Sequence, residues 1–560
     1  MLTNQPQFSR RALFLLLAVF AALWFGTLDY RKLVKPDEGR YAEIPREMVA
    51  TGDWLTPRLN DIKYFEKPAL QYWATAAAYT VFGEHEWTAR LWPALTGFLG
   101  VLATFFVGLR LYGREAALYG AAALAGSILW VMIGHINTLD MAVSFFLSAA
   151  IFGFVLAQRD DAGVRENRNA MLLAWAALAL AVLSKGLIGL VLPAATLVLY
   201  TLWHFTSRRD LALWKRLHLG KGLALLLAIT APWFIAVSLA NPEFFHFFFI
   251  HEHFERFLTK AHGRYQPMWY FIPILLIGVL PWTGALFKGI ARVFRRDAGA
   301  RFRADRFLLV WIVVVFGFFS VSSSKLVSYI LPLFPAAALL IGRALAEARC
   351  RTLRWHAALL LPLAAAWIVA AVVATPDMAS PQTPLALYQA YLPWLVTAGV
   401  VMAIAAAVAI AFFQREAKTA GVLALSAGGL LFAQVALNGH ETLSPSSSAY
   451  HIAQAIRTEN RPDIPFYSVD TYDQTLQPYL KRTTTMVIYK DELGFGIKQE
   501  PQKFIPDMAG FVRVWNNQPA ALALMDAESY AQLSAQGLPM QVIAQDTRRI
   551  IVKKPSGATP

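Results

Sequence analysis

The sequence has almost no cysteine: Cys350 is the only one in 560 residues. That excludes a disulfide framework and any zinc site built on several cysteines of one chain. Charge is scarce too, with Asp, Glu, Lys and Arg at 16% of the chain, against about 25% in soluble domains. Apolar residues take that share, reaching 57% and a mean hydropathy of +0.45. Together these values exclude a disordered chain, a collagen-like chain and an ordinary cytosolic enzyme. No internal sequence repeat is visible.

A bilayer span needs about 20 apolar residues at about 1.5 Å each. Thirteen segments qualify, centred on 12–28, 91–109, 116–134, 141–158, 170–184, 187–204, 222–240, 268–287, 307–321, 328–345, 357–374, 393–413 and 419–437. The weakest are 170–184 and 307–321, which are short, and the split at Ser184-Lys185-Gly186. The net charge of +15 tests this reading. With the N-terminus inside, the cytoplasmic loops and Arg10-Arg11 hold 25 Lys/Arg and 9 Asp/Glu, and the rest of the chain holds 26 and 27. The whole excess lies on one side, as the positive-inside rule requires. The charge is therefore topological and gives no reason to invoke nucleic acid. Bulky Trp24 and Phe25, with no small-residue cleavage site after them, make the first segment an uncleaved anchor.

Thirteen spans place the C-terminus outside, with two long outer regions, 29–88 and 439–560. In the first, Asp37–Ala50 reads as a helix and Pro68–Phe82 as an aromatic, amphipathic stretch along the membrane surface. In the second, 446–459 reads as a helix, and 466–470, 485–490 and 510–515 as short strands. Residues 527–536 read as a helix capped by Asp526, and 541–545 with 549–553 as a hairpin. The fold class expected is a mainly α-helical polytopic membrane protein, residues 1–438, followed by a small α/β domain, residues 439–560.

Ionisable residues at membrane depth are costly and are functional hypotheses by default. Here they gather on the outer side: Asp37, Glu38 and Arg40 in the first loop, Asp140 at the head of the fourth span, Lys185 in a very short turn, and Lys325 and Tyr329 before the tenth. His246, His251, Glu252, His253, Arg256, His262 and Arg264 follow the seventh span. Acids, lysines and arginines concentrated at one membrane face suit phosphate recognition beside a carboxylate. Each also has a plain structural reading. Asp37 after Pro36 is placed to cap a helix, and Asp140 to cap its span. Lys185 and Lys325 are placed to reach the head groups. His251 and His253 share a face only on a strand and diverge on a helix. The joint pattern, not any one residue, carries the argument.

The block Pro36-Asp37-Glu38-Gly39-Arg40-Tyr41-Ala42-Glu43-Ile44, then Gly52-Asp53-Trp54-Leu55-Thr56-Pro57 and Tyr64-Phe65-Glu66-Lys67-Pro68, resembles the first external loop of the lipid-carrier-dependent glycosyltransferases of the C superfamily (GT-C). Leu139-Asp140, Ser184-Lys185-Gly186, Glu252-His253 with Arg256-Phe257, Leu280-Pro281-Trp282 and Lys325 with Tyr329-Ile330 extend the likeness to about residue 345. Within that superfamily the chain is most similar to the bacterial aminoarabinose transferases, relatives of the protein O-mannosyltransferases.

The resemblance implies an enzyme of the Gram-negative inner membrane with its active site and C-terminus in the periplasm. Its donor would be an undecaprenyl-phosphate-linked sugar, 4-amino-4-deoxy-L-arabinose. Its acceptor would be a lipid A phosphate, and the outcome resistance to polymyxin and other cationic peptides. Asp37 matches the family's catalytic aspartate. An acceptor phosphate is already ionised near pH 7, so positioning and electrostatic stabilisation are favoured over general-base work. Displacement would invert the anomeric carbon. Lys67 matches the phosphate-binding lysine and Arg256 is a second cation for the leaving group. Lys185 and Arg40 would hold Asp37 ionised. Asp140 would bind sugar hydroxyls or the amine, or balance the lysines. Tyr41, Tyr64 and Tyr329, with Lys325, would line the cleft. Glu66, His253 and His251 would hold a divalent ion, zinc by imidazole preference, to order the loop; the chemistry itself needs no cofactor.

One departure stands out. Many protein-mannosylating relatives carry a second acid just before the Arg-Tyr pair, where this chain has Gly39. Glu38 beside Asp37 leaves a shared role open. The missing soluble acceptor-binding domains of those relatives favour a lipid acceptor. The alternatives are a related transferase with another sugar or a protein acceptor, a transporter of a lipid-linked sugar, or a membrane scaffold. Transporters place key charges near the midplane and in repeated halves, unlike this chain.

Overall fold

The computed structural model describes residues 10–208, 212–255, 265–295 and 301–555. Among them, nine helices are long and apolar enough to cross a membrane, two further pairs qualify as bent spans, and two shorter apolar helices accompany them. Each apolar segment of the sequence falls on one of these. The chain is a multi-pass membrane protein.

The two short segments are longer than their apolar centres. Val164–Lys185 runs 22 residues and Ala304–Val321 runs 18, because polar first turns extend each helix beyond its apolar part. The split after Lys185 is real: Gly186 sits at φ 82, a left-handed conformation that stops the helix before the next begins at Ile188. The expected spans 116–134 and 268–287 are each a bent pair of helices, the first with Arg114–Ala125 and Ile128–Gly134 at 61°. Met268–Gly278 and Thr283–Val293 meet at 110°, since Pro281 between them has no N–H to continue the ladder.

The first outer region packs as expected into two helices, Asp37–Thr51 and Leu70–Phe82. Between them lies a short hairpin of β1 (Arg58–Leu59) and β2 (Ile62–Lys63). The tail carries a six-stranded sheet of β3 (Phe466–Val469), β4 (Thr485–Val487), β5 (Phe504–Ile505), β6 (Leu522–Met525), β7 (Gln541–Gln545) and β8 (Ile550–Lys553), in the order β5-β4-β3-β6-β8-β7. The first four in that order are parallel, and the β7–β8 hairpin closes the sheet antiparallel. Every residue of β3 and β6 is buried.

Two expectations for the tail change, and two strands, β5 and β6, are added to those expected. Residues 510–515 are not a strand but part of a helix, Met508–Asn517, whose Asp507 cap accepts from the Gly510 amide at 2.6 Å. Phe511 and Trp515, four apart, are its buried pair. The helix over 446–459 is two pieces, Ser444–Ser447 and Tyr450–Ala455, parted by extended Ser448. The central strand β6, Leu-Ala-Leu-Met, lacks any β-branched residue and gave no strand signal. The cap of Ala527–Ala535 by Asp526 and the terminal hairpin stand as expected.

The sheet domain is fastened to the first outer region. Asn60 exchanges two bonds of 2.7 Å with the Thr484 backbone. Arg58 pairs with Glu500 at 3.0 Å, and Leu33 N–H donates to the Tyr479 hydroxyl at 2.8 Å.

Candidate active site

Asp37 opens the helix that follows Pro36, and it does not cap that helix: no side-chain cap bond forms there. Its carboxylate instead accepts from Arg40 Nη1 at 3.1 Å and is 40% exposed. Arg40, one turn on, is buried. Its other nitrogen, Nη2, reaches Glu492 Oε2 of the tail at 2.5 Å. Gln474 Nε2 donates to the second oxygen of Glu492 at 2.5 Å. Burial pushes the Glu492 carboxyl above the usual glutamate range, and Arg40 and Gln474 pull it back only in part.

Glu38 faces the other way. It accepts from Arg90 at 2.7 and 2.8 Å and from the Val34 and Asn137 amides at 3.0 Å each. Burial alone would raise its pKa, but Arg90 first and then Arg31 and the Asn137 amide hold it down to about 2. Through these bonds Glu38 ties the first loop to the second span and to the turn before the fourth.

Gly39 is explained by the tail. A Cβ there would lie 2.4 Å from the Gln474 carbonyl oxygen, so the position of a second acid is occupied by backbone.

Lys185 and Asp140 meet at the outer ends of their spans as an ion pair. Ser328 Oγ donates to the other Asp140 oxygen at 2.6 Å, and Lys185 lies 4.6 Å from the Tyr329 ring centroid. Asp37 is within electrostatic reach of Lys185. Lys67 Nζ donates to the Glu66 carbonyl at 2.8 Å. Lys325 is buried but held apart from the pair: its amine donates to the Gln266 carbonyl at 2.9 Å and to that of Ser322. These bonds fasten the loop before the tenth span onto residues 265–266.

Tyr41, Tyr64, Tyr72 and Tyr472 form the buried floor, with the Tyr41 and Tyr72 rings 6.2 Å apart. Arg40 stands 5.9 Å from the rings of both Tyr41 and Tyr64. Burial first, then the charge of Glu66, raises the Tyr64 phenol, so it stays a neutral donor. The hydroxyls of Tyr64, Tyr72 and Tyr472 have no hydrogen-bond partner among the described residues. Each such buried hydroxyl costs about 1–3 kcal/mol; three of them in one place mark a polar ligand or water position.

Arg256 lies outside the described residues, as do the side chains of His251 and His253. The backbone is helical over His246–Glu255, so the strand on which the two histidines would share a face does not form. Among the described residues no three of His, Cys, Asp and Glu converge on a metal position. Glu492, Gln474, Tyr72 and Tyr472 were not anticipated. Three of them lie over 400 residues from Asp37, and no local pattern marks them.

Residues 9–248 match the family model for dolichyl-phosphate-mannose-protein mannosyltransferases, and 452–554 match the aminoarabinose transferase C-terminal domain. An undecaprenyl phosphate-alpha-4-amino-4-deoxy-L-arabinose arabinosyl transferase from Proteus mirabilis is 36% identical over 358 residues, 61% of each chain. One from Aeromonas salmonicida is 37% identical over 58% of each. The chain thus aligns over about three fifths of the length of these curated relatives. The crystal structure of ArnT from Cupriavidus metallidurans bound to undecaprenyl phosphate superposes with a TM-score of 0.93 at 39% identity, over 99% of this chain and 100% of that one. The Archaeoglobus fulgidus oligosaccharyltransferase shares the fold alone, at 14% identity and a TM-score of 0.52 over 94% of this chain and 69% of that one. A GT-C membrane fold with the aminoarabinose-transferase tail, matched end to end at this identity, means that the chain belongs to the ArnT family, the aminoarabinose transferases.

Proposed function

We propose that this protein transfers 4-amino-4-deoxy-L-arabinose from undecaprenyl phosphate to a phosphate of lipid A, at the periplasmic face of the Gram-negative inner membrane. The observation that carries this reading is the partly exposed Asp37, held by Arg40 within electrostatic reach of Lys185. The names of the relatives supply the donor, and the positive-inside charge supplies the orientation.

The acceptor phosphate oxygen attacks the anomeric carbon as the bond from that carbon to the carrier phosphate breaks. The bonding pair leaves with the undecaprenyl phosphate, and the carbon inverts. Asp37 stabilises the positive charge that builds on the sugar ring and orients the acceptor. Lys67, with Arg256, receives the negative charge that builds on the leaving phosphate, an interaction strongest in the transition state. Arg40 and the Asp140–Lys185 pair fix the carboxylate. The unpartnered phenols of Tyr64 and Tyr72, with Tyr41 and Tyr329, supply donors to the sugar. The step as drawn needs no cofactor. The added amine offsets a lipid A phosphate charge and weakens binding of polymyxin and other cationic peptides. Residues 1–438 form the transferase unit and 439–560 the periplasmic unit that completes it.

The clustering of charge at one end of the helices speaks against the transporter reading. The test is the lipid A mass in cells that make the donor but lack their own transferase. Expression of this chain should add the mass of aminoarabinose; no change with well-expressed protein would reject the assignment.

A further inference from the structure

A second cavity lies on the far flank of the helix Asp37–Thr51. At about 100° per residue, Ala42 and Arg46 fall about 140° and 180° round from Asp37, and both line it. Its volume is about 270 Å³. The walls come from the loop after the first span, the start of the span Glu86–Tyr112 and the tail helices around Tyr450 and Tyr479. None of the residues assigned to transfer lines it.

Its charges come in opposed pairs. Lys32 Nζ bonds Glu86 at 2.9 Å and lies 4.2 Å from the Tyr450 ring centroid. Lys481 Nζ is 3.2 Å from Glu84 Oε2. That oxygen is buried and is held by the Lys481 ammonium. Arg46 is engaged by Glu43 at 2.6 and 2.7 Å and does not tip the balance. Beside the cavity the last turn of the helix Leu70–Phe82 presents Val81 and Phe82, 69% and 52% exposed. Phe82 rests on Trp87, 5.4 Å between centroids, at the level where the span begins. An apolar step with aromatic rings at a span's head is the pattern of a membrane interface.

We propose that this cavity binds the head group of a zwitterionic glycerophospholipid bearing a primary amine. Its phosphate lies between Lys32 and Lys481, its ammonium on Glu84 and Glu86, and its chains over Val81 and Phe82. A purely anionic head group that draws off the two lysines leaves their carboxylates without a counter-charge, and a purely cationic one that draws off the carboxylates leaves the two ammonium groups so. A zwitterion gives each pair an added partner, its phosphate to the two lysines and its ammonium to the two carboxylates. The site stands whichever sugar the enzyme transfers.

Native mass spectrometry of the full chain tests this, with phosphatidylethanolamine and phosphatidylglycerol of identical chains added in turn. The native protein should retain one phosphatidylethanolamine at about ten-fold higher affinity, about 1.4 kcal/mol. Lys481→Gln, at an exposed position, should weaken retention of both lipids with transfer unchanged. Glu84→Gln should erase the preference. Glycerophosphoethanolamine, which has no chains, should compete poorly. Equal retention of the two lipids, variants that behave as native, or full competition by the chain-free head group would each overturn the proposal.

Discussion

Arg40 Nη2 lies 2.5 Å from Glu492 Oε2, so the arginine that holds Asp37 is itself held by the extramembrane sheet domain. Glu492→Gln keeps the shape and removes the charge. Arg40 then shifts, and turnover should fall between about ten- and a hundred-fold, the scale of an ångström misplacement, with thermal stability little changed. Because the Glu492 pKa is raised, the group loses its charge on the acid side before an ordinary glutamate does. The native protein should therefore show an acid limb in its pH–rate profile above the ordinary glutamate value of 4.5, and Glu492→Gln should lack it.

Glu38 makes the contrasting prediction. Its carboxyl is held at about 2 against 4.5 for the free group. A depressed carboxyl stabilises the fold fully above 4.5, and that contribution is lost as pH falls from there towards 2. Glu38→Gln leaves buried Arg90 and Arg31 without their anion, at a cost of about 3–5 kcal/mol. Thermal unfolding in detergent should show a large drop in midpoint, in contrast to the small change for Glu492→Gln.

Gly39→Ala drives a methyl group to 2.4 Å from the Gln474 carbonyl oxygen. Backbone on both sides gives little room, and overpacking of this kind costs about 1–3 kcal/mol. The variant should part the helix from the tail, with faster hydrogen exchange at 474–476 and reduced turnover. Unchanged exchange would mean that the contact is looser than it stands here.

Most of the membrane part was legible because apolar length and basic loops are separate signals that agree. In the first loop, dense charge in an apolar chain singled out Asp37, Glu38 and Arg40, and the resemblance to the GT-C transferases added Tyr41, Tyr64 and Lys67. What stayed hidden depends on contacts between distant segments. Glu38 and Asp37 are adjacent in sequence, yet only the fold shows that Arg90 claims one and leaves the other open. The bond of Lys325 to the Gln266 carbonyl, 59 residues away, likewise joins segments that no local pattern pairs. In the tail, Phe-Val-Arg-Val-Trp alternates like a strand but is helical, because burial of Phe511 and Trp515 on one helix face outweighs β propensity.

The Asp140–Lys185 pair should behave as a unit. Asp140→Asn or Lys185→Met alone leaves a partly buried charge unpaired, and each should reduce both stability and turnover. The double variant should be more stable than either single one, since no unpaired charge remains. Strict additivity in thermal unfolding would contradict the pairing.

The most direct test of the account is single-turnover transfer by purified protein, native against Asp37→Asn, with undecaprenyl-phosphate aminoarabinose and lipid A. Asp37 is partly exposed and pairs with Arg40, so the variant should fold and retain the carrier lipid. Its rate should fall by at least about 10²–10³-fold, the scale of a lost transition-state charge contact. Transfer at the native rate by the variant would remove Asp37 from the mechanism and with it the site as drawn.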